Sequence, residues 1–168
     1  MLRFGIELMQ PQLLMEPALR AMARPAEATQ AGLSIDLAAA VEQLADPGFK
    51  VIELNPDLML FYPRSFDLPA VDRLRALKQS RGLDYTLHLP LWSVEPSTPL
   101  QPVRQGSVDA LVDAVLRTAP LEPEVYILHA TGALAAEFSR MTAVEAVRPL
   151  VMNLFQEQAC RSVEELLN

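Results

Sequence analysis

Cysteine and histidine are scarce in this chain of 168 residues, which holds one cysteine, Cys160, and two histidines, His88 and His129. A single thiol cannot close a disulfide within the chain or supply a thiolate cluster for a metal, and it fits a reducing, cytoplasmic compartment. Cys160 is accordingly expected to be inert. Glycine-rich phosphate loops, nucleophile elbows and CxxC pairs are all missing, which removes support for dinucleotide binding and for covalent serine or cysteine catalysis. Positive charge is also in short supply. With 14 Lys and Arg against 21 Asp and Glu, the formal charge is −7, and a nucleic-acid partner is not expected where basic residues are too few to neutralise phosphates. No apolar run approaches the roughly 18 residues of a membrane-spanning helix. Met1-Leu2-Arg3 leads straight into a strand-like run, without the charged, apolar and small-residue order of a signal peptide. A soluble cytoplasmic protein with no membrane partner is the expectation.

What is present is globular in character: 51% hydrophobic and 21% charged, enough for one domain with its own core over residues 1–168. Four short β-prone runs recur, each with one ionisable residue near its end: Phe4-Gly5-Ile6-Glu7-Leu8, Val51-Ile52-Glu53-Leu54, Tyr85-Thr86-Leu87-His88-Leu89 and Tyr126-Ile127-Leu128-His129-Ala130. They are separated by about one strand-plus-helix unit each.

Residues 3–8 read as the first strand. Pro11, Pro17 and Pro25 interrupt the next segment, where Leu13, Leu14, Leu19 and Met22 are available to face inward from short helical turns. From Ser34 or Asp36 as N-cap, Leu37, Ala40, Val41 and Leu44 form one helical face that Pro47-Gly48 ends. Phe49 to Leu54 read as strand two, followed by an apolar-aromatic loop. Asp67 and Pro69 open a second helix with Val71, Leu74 and Leu77 inward and Gly82 as its C-terminal cap. Strand three covers 84–89 and a proline-rich loop runs from Pro90 through Gly106. The next helix buries Val108, Leu111, Val112, Val115 and Leu116. Strand four covers 125–129, and residues 130–141 read as a loop. Capping boxes at Thr142-Ala143-Val144-Glu145 and Ser162-Val163-Glu164-Glu165 predict two more helix starts, with Pro149 kinking the first.

Strand and helix thus alternate four times, which predicts an α/β fold of parallel (β/α) units. Links from helix to strand are short and links from strand to helix are long, so loops gather at the C-terminal strand ends, where such folds place their chemistry. Four units are half of an eight-stranded barrel, and the expectation is a half-barrel, either truncated or completed by a partner that covers its strand edges. An open four-stranded sheet is the alternative.

His88 and His129 occupy matching places in consecutive repeats, so they are expected to lie level on adjacent strands, about 5 Å apart. Glu7 and Glu53 would extend the same row. Two imidazoles and two carboxylates form an N/O donor set suited to Zn or Mn. A lone strand histidine usually serves as a hydrogen-bonded core residue; two in register strengthen the functional reading. Glu7 and Glu53 could equally be structural carboxylates. Trp92, Phe61 and Tyr62 sit on loops of the presumed active face and either line a pocket or anchor their loops.

At Glu53-Leu54-Asn55, His88-Leu89-Pro90 and His129-Ala130-Thr131-Gly132 the sequence resembles the xylose-isomerase-like TIM barrels, a superfamily that includes sugar phosphate isomerases/epimerases and endonuclease IV type phosphoesterases. The resemblance covers nearly the whole chain, as the first four of eight units. It implies a metal-dependent isomerase/epimerase acting on a sugar or sugar phosphate; His88 and His129 match the metal-binding histidines that end strands three and four in endonuclease IV type members, while Glu7, Glu53 and Trp92 are expected toward substrate from their own places at strand ends and on a loop. It also implies that further ligands and catalytic carboxylates come from strands five to eight, so that the isolated chain is inactive. A multi-metal phosphoesterase and a non-catalytic half-barrel module, including a homo-oligomer that covers the open edges, are the alternatives.

Overall fold

The computed structural model describes residues 4–8, 35–141 and 147–168. The helical turns expected around Leu13 to Met22, the Ser34 cap and the Thr142 capping box lie outside the described residues. Those described group into two compact units. One runs to His88 and includes Leu116–Ile127, and the other comprises Leu89–Val115 and Leu128–Asn168.

The first unit holds the sheet. β1 (Gly5–Glu7), β2 (Val51–Leu54), β3 (Asp84–His88) and β4 (Val125–Ile127) pair in parallel in the order β1-β2-β3-β4, so that among the described residues the sheet has two open edges. Side chains alternate between faces. Ile52, Leu54, Tyr85 and Leu87 are fully buried on one side and pack with residues of two helices, α1 (Leu37–Ala45) and α2 (Leu68–Arg81). Each such aliphatic side chain contributes about 1.5–3 kcal/mol of burial. Tyr85 brings a hydroxyl into this core and satisfies it by donating to the Leu74 carbonyl at 2.9 Å. Burial pushes its phenol pKa up.

Both helices begin and end as their sequences predict. Asp36 caps α1 by accepting from the Ala39 N–H at 3.0 Å, and Leu37, Val41 and Leu44 are buried. Pro69 sits in the first turn of α2, Val71 and Leu74 face the core, and Gly82 ends the helix at φ 60° and ψ 51°. The expected loop after β2 is instead a 3₁₀ turn, Pro56–Leu60, started by Asn55 Oδ1 accepting from the Asp57 N–H at 2.8 Å. Tyr62 is buried and Phe61 packs against the core, so these aromatics anchor the segment. Lys78 Nζ donates to the carbonyls of Leu121 and Glu122 at 3.0 and 2.7 Å, tying α2 to the turn Ala119–Leu121.

Several expectations fail beyond β3. α3 (Gln101–Thr118) takes in the last residues of the supposed proline loop, because Pro102 stands in the first turn, where its missing N–H has no helical partner to lose. Its residues from Leu116 belong with the first unit, and Leu116 is 68% exposed rather than inward. Residues read as a loop after β4 form α4 (Gly132–Met141). The final helix, α5 (Arg148–Leu167), is continuous: Pro149 opens it rather than kinking it, and Ser162 lies in its interior.

The second unit packs α4 against α5 through Phe138 and Phe155, with ring centroids 5.8 Å apart. Its central polar feature is Arg104 on α3, which is fully buried. Arg104 donates from Nη1 to Ser162 Oγ and Glu165 Oε2, and from Nη2 to Glu165 Oε1, each at 3.0 Å. Ser162 in turn donates to the Pro96 carbonyl at 2.6 Å. The Arg104 guanidinium holds the Glu165 carboxyl below the usual carboxylate range.

Candidate functional site

The face of the sheet away from the helices is open. Strand pairing levels Glu7 with Glu53, Glu53 with Thr86, and Thr86 with Val125. With neighbouring parallel strands about 5 Å apart, the two carboxylates and the hydroxyl form one polar row near the C-terminal strand ends. They line a depression of about 470 Å³ together with Gly5, Ile6, Val51, Val125 and Ile127. Glu53 and Thr86 are half-buried and Glu7 is exposed. Val51, two residues before Glu53, makes the depression apolar toward the N-terminal strand ends, and Val125 continues the row beyond Thr86. Adjacent carboxylates beside a hydroxyl offer a concentrated set of acceptors with one donor, suited to a ligand rich in hydroxyls.

The row is not the one expected from the repeats. Thr86, not His88, is level with Glu53. His88, two residues further along β3, is level with Ile127 rather than His129. It shares its strand's open face with Thr86 because strand side chains alternate with period two. β4 ends at Ile127; His129 is exposed and lies in the second unit. Strand register thus puts Ile127, not His129, at the position level with His88. Among the described residues no three His, Cys, Asp or Glu side chains gather so as to hold a metal ion.

Trp92 lies in the second unit, 53% exposed. It borders an open depression of about 560 Å³ with Leu91, Ser93, Val94, Glu95, Val103, Ser107 and Glu137. Glu95 is held there by the Ser97 hydroxyl at 2.7 Å, while its own backbone N–H donates to Ser107 Oγ at 2.9 Å. An exposed indole beside carboxylates and hydroxyls is a surface with both apolar and polar contacts to offer.

Sequence reasoning missed Thr86 and Arg104. Thr86 was detectable in principle, since it shares the parity of His88 on β3. The partners of Arg104 lie some sixty residues away in sequence, and nothing local marks them.

Four parallel strands with alternating helices match part of a TIM barrel in solved structures. No protein-family profile matches the chain, and no curated protein matches it significantly. A D-tagatose 3-epimerase-like protein superposes with a TM-score of 0.63 at 15% identity, over 98% of this chain and 47% of that one. A D-psicose 3-epimerase from Clostridium cellulolyticum H10, solved with D-tagatose, gives 0.61 at 15% identity, over 99% and 47%. The chain thus spans about half the length of these structures. No helix among the described residues is long and apolar enough to cross a membrane.

Proposed function

We propose that this chain supplies one wall of a sugar- or sugar-phosphate-binding site of isomerase/epimerase type, in a single (β/α)4 portion of a barrel. Glu7 and Glu53 are the substrate-facing carboxylates and Thr86 is their hydroxyl neighbour. The level Glu7–Glu53–Thr86 row on the open face carries the reading, and the epimerase structures of the same fold support it. Carboxylates at this position would accept hydrogen bonds from sugar hydroxyls, and in a complete site could take a proton from carbon. Trp92, in its own depression, is a separate candidate contact for the apolar face of a sugar.

The test is ligand binding by the 168-residue chain, with D-tagatose as probe and saturation-transfer NMR as readout. Hydrogen bonds to a charged acceptor contribute about 1.5–3 kcal/mol, so Glu7→Gln with Glu53→Gln is expected to weaken binding by about 10-fold or more. Equal binding by the double variant and the parent would remove both residues from the site.

A further inference from the structure

We infer that the Trp92 depression of the second unit binds a small organic cation, an alkylammonium group resting against the indole with Glu95 and Glu137 as its counter-charges. Its chemistry does not depend on the Glu7–Glu53–Thr86 row. The depression measures about 560 Å³, and its described lining holds two carboxylates and no Lys, Arg or His. Leu91, Val94 and Val103 make much of the remaining wall apolar, and Val103, like Trp92, is about half exposed there. An indole attracts a cation through the negative face of its ring, and neighbouring carboxylates add to that attraction. A bare divalent ion takes about six oxygen ligands and would leave the apolar wall unused, whereas an alkylammonium matches both parts.

The segment that carries Trp92 is held from several sides. Glu95 Oε1 accepts from the Ser97 hydroxyl at 2.7 Å, and Ser97 is fully buried, which fixes where the carboxylate stands. The Glu95 N–H donates to Ser107 Oγ at 2.9 Å, and Ser107 donates to the Val103 carbonyl at 2.8 Å. Next in the chain, the Pro96 carbonyl accepts from Ser162, which Arg104 engages in turn. All of these anchors lie in the second unit. Groups held in place before a ligand arrives lose little freedom on binding, so this bracing prepares the segment for a small ligand. Glu137 comes from α4, where Arg140 pairs with it at 2.8 Å. Both of those side chains are more than half exposed, and surface pairs of this kind are weak enough to exchange. Glu95 is therefore the principal counter-charge.

Trp92 is the only tryptophan of the 168-residue chain, so a single indole N–H resonance in the isotope-labelled protein reports on this depression. Titration with choline is expected to move that resonance to saturation. Neohexyl alcohol, the uncharged carbon isostere of choline, is expected to bind about 10-fold or more weakly. Glu95→Gln with Glu137→Gln is expected to weaken choline binding by about 5-fold or more, with far-UV circular dichroism unchanged because the Ser97 hydroxyl still finds an amide oxygen. Glu157→Gln with Glu164→Gln, exposed on α5, removes the same charge and is expected to change the affinity by less than about 2-fold. An unmoved resonance overturns the inference. So does equal affinity for choline and neohexyl alcohol, or equal weakening by the two glutamine pairs, which marks attraction by net charge alone. A response to D-tagatose with none to choline overturns it too and gives the depression to a sugar. Sugar binding at the carboxylate row is read separately through Glu7→Gln with Glu53→Gln, so the two sites can fail independently.

Discussion

The Arg104 cluster makes an asymmetric prediction about stability. Its guanidinium is fully buried, whereas the Glu165 side chain keeps 32% of its surface exposed. Glu165→Ala strands a buried cation with Ser162 as its remaining partner. Uncompensated buried charge costs about 3–5 kcal/mol, and the low end applies because water can follow the vacated side chain inward. At 2–4 °C per kcal/mol for a chain of this size, that predicts a melting temperature lower by about 6–12 °C. Arg104→Met removes the cation itself, leaving a carboxylate that can rehydrate and still meets Arg161 Nε at 3.1 Å. The arginine Nε is buried without a hydrogen-bond partner, so an apolar replacement also relieves an unpaired donor. Arg104→Met should therefore cost about 1 kcal/mol or less, and the double variant should be no less stable than Glu165→Ala alone. Urea denaturation of all four proteins closes the double-mutant cycle. Equal losses for the two single variants, adding in the double, would show that the guanidinium is not effectively buried.

Two further predictions concern acid and backbone geometry. Glu165 and Asp36 both ionise at lower pH in the folded chain than in the unfolded one, through Arg104 and Arg73 respectively. Their contribution is complete above the ordinary carboxylate range of about 4 and is lost as pH falls through the lowered folded values. The urea midpoint should accordingly fall below that range, less steeply in Arg73→Gln; an identical profile would exclude the Asp36 pair as a source. Gly82→Ala and Gly106→Ala should have opposite signs in thermal melts. Both have open space around an added Cβ, but Gly82 has φ +60°, where a side chain costs about 1 kcal/mol, whereas alanine inside α3 gains roughly 0.5–1 kcal/mol.

Much of the first unit was legible because its signals are local. Asp36, Pro69 and Gly82 act within one turn of their helices, and alternation in Val51–Leu54 and Asp84–His88 fixes which side chains reach the core. The misreadings came where one local signal had two outcomes. Pro102 reads as a helix breaker in a proline-rich stretch, yet a proline is accepted in a first turn. Ser162 and Glu165 match a capping box, yet Ser162 Oγ is engaged by Pro96 and Arg104, and Glu165 by Arg104.

By itself the sequence determined the four strands, the helices that join them and the face on which each strand residue lies, because all of these follow from periodicity and from terminators within a few residues. Only the tertiary structure decided the register. Sliding one strand past another by two residues preserves every face assignment, so the repeats could place His88 on the same face as Thr86 but could not tell which of them stands beside Glu53. That choice is made by hydrogen bonds between strands and by the core that Tyr85 and Leu87 share with Val71 and Leu74, where the Tyr85 hydroxyl reaches the Leu74 carbonyl. It puts a hydroxyl rather than an imidazole in the carboxylate row.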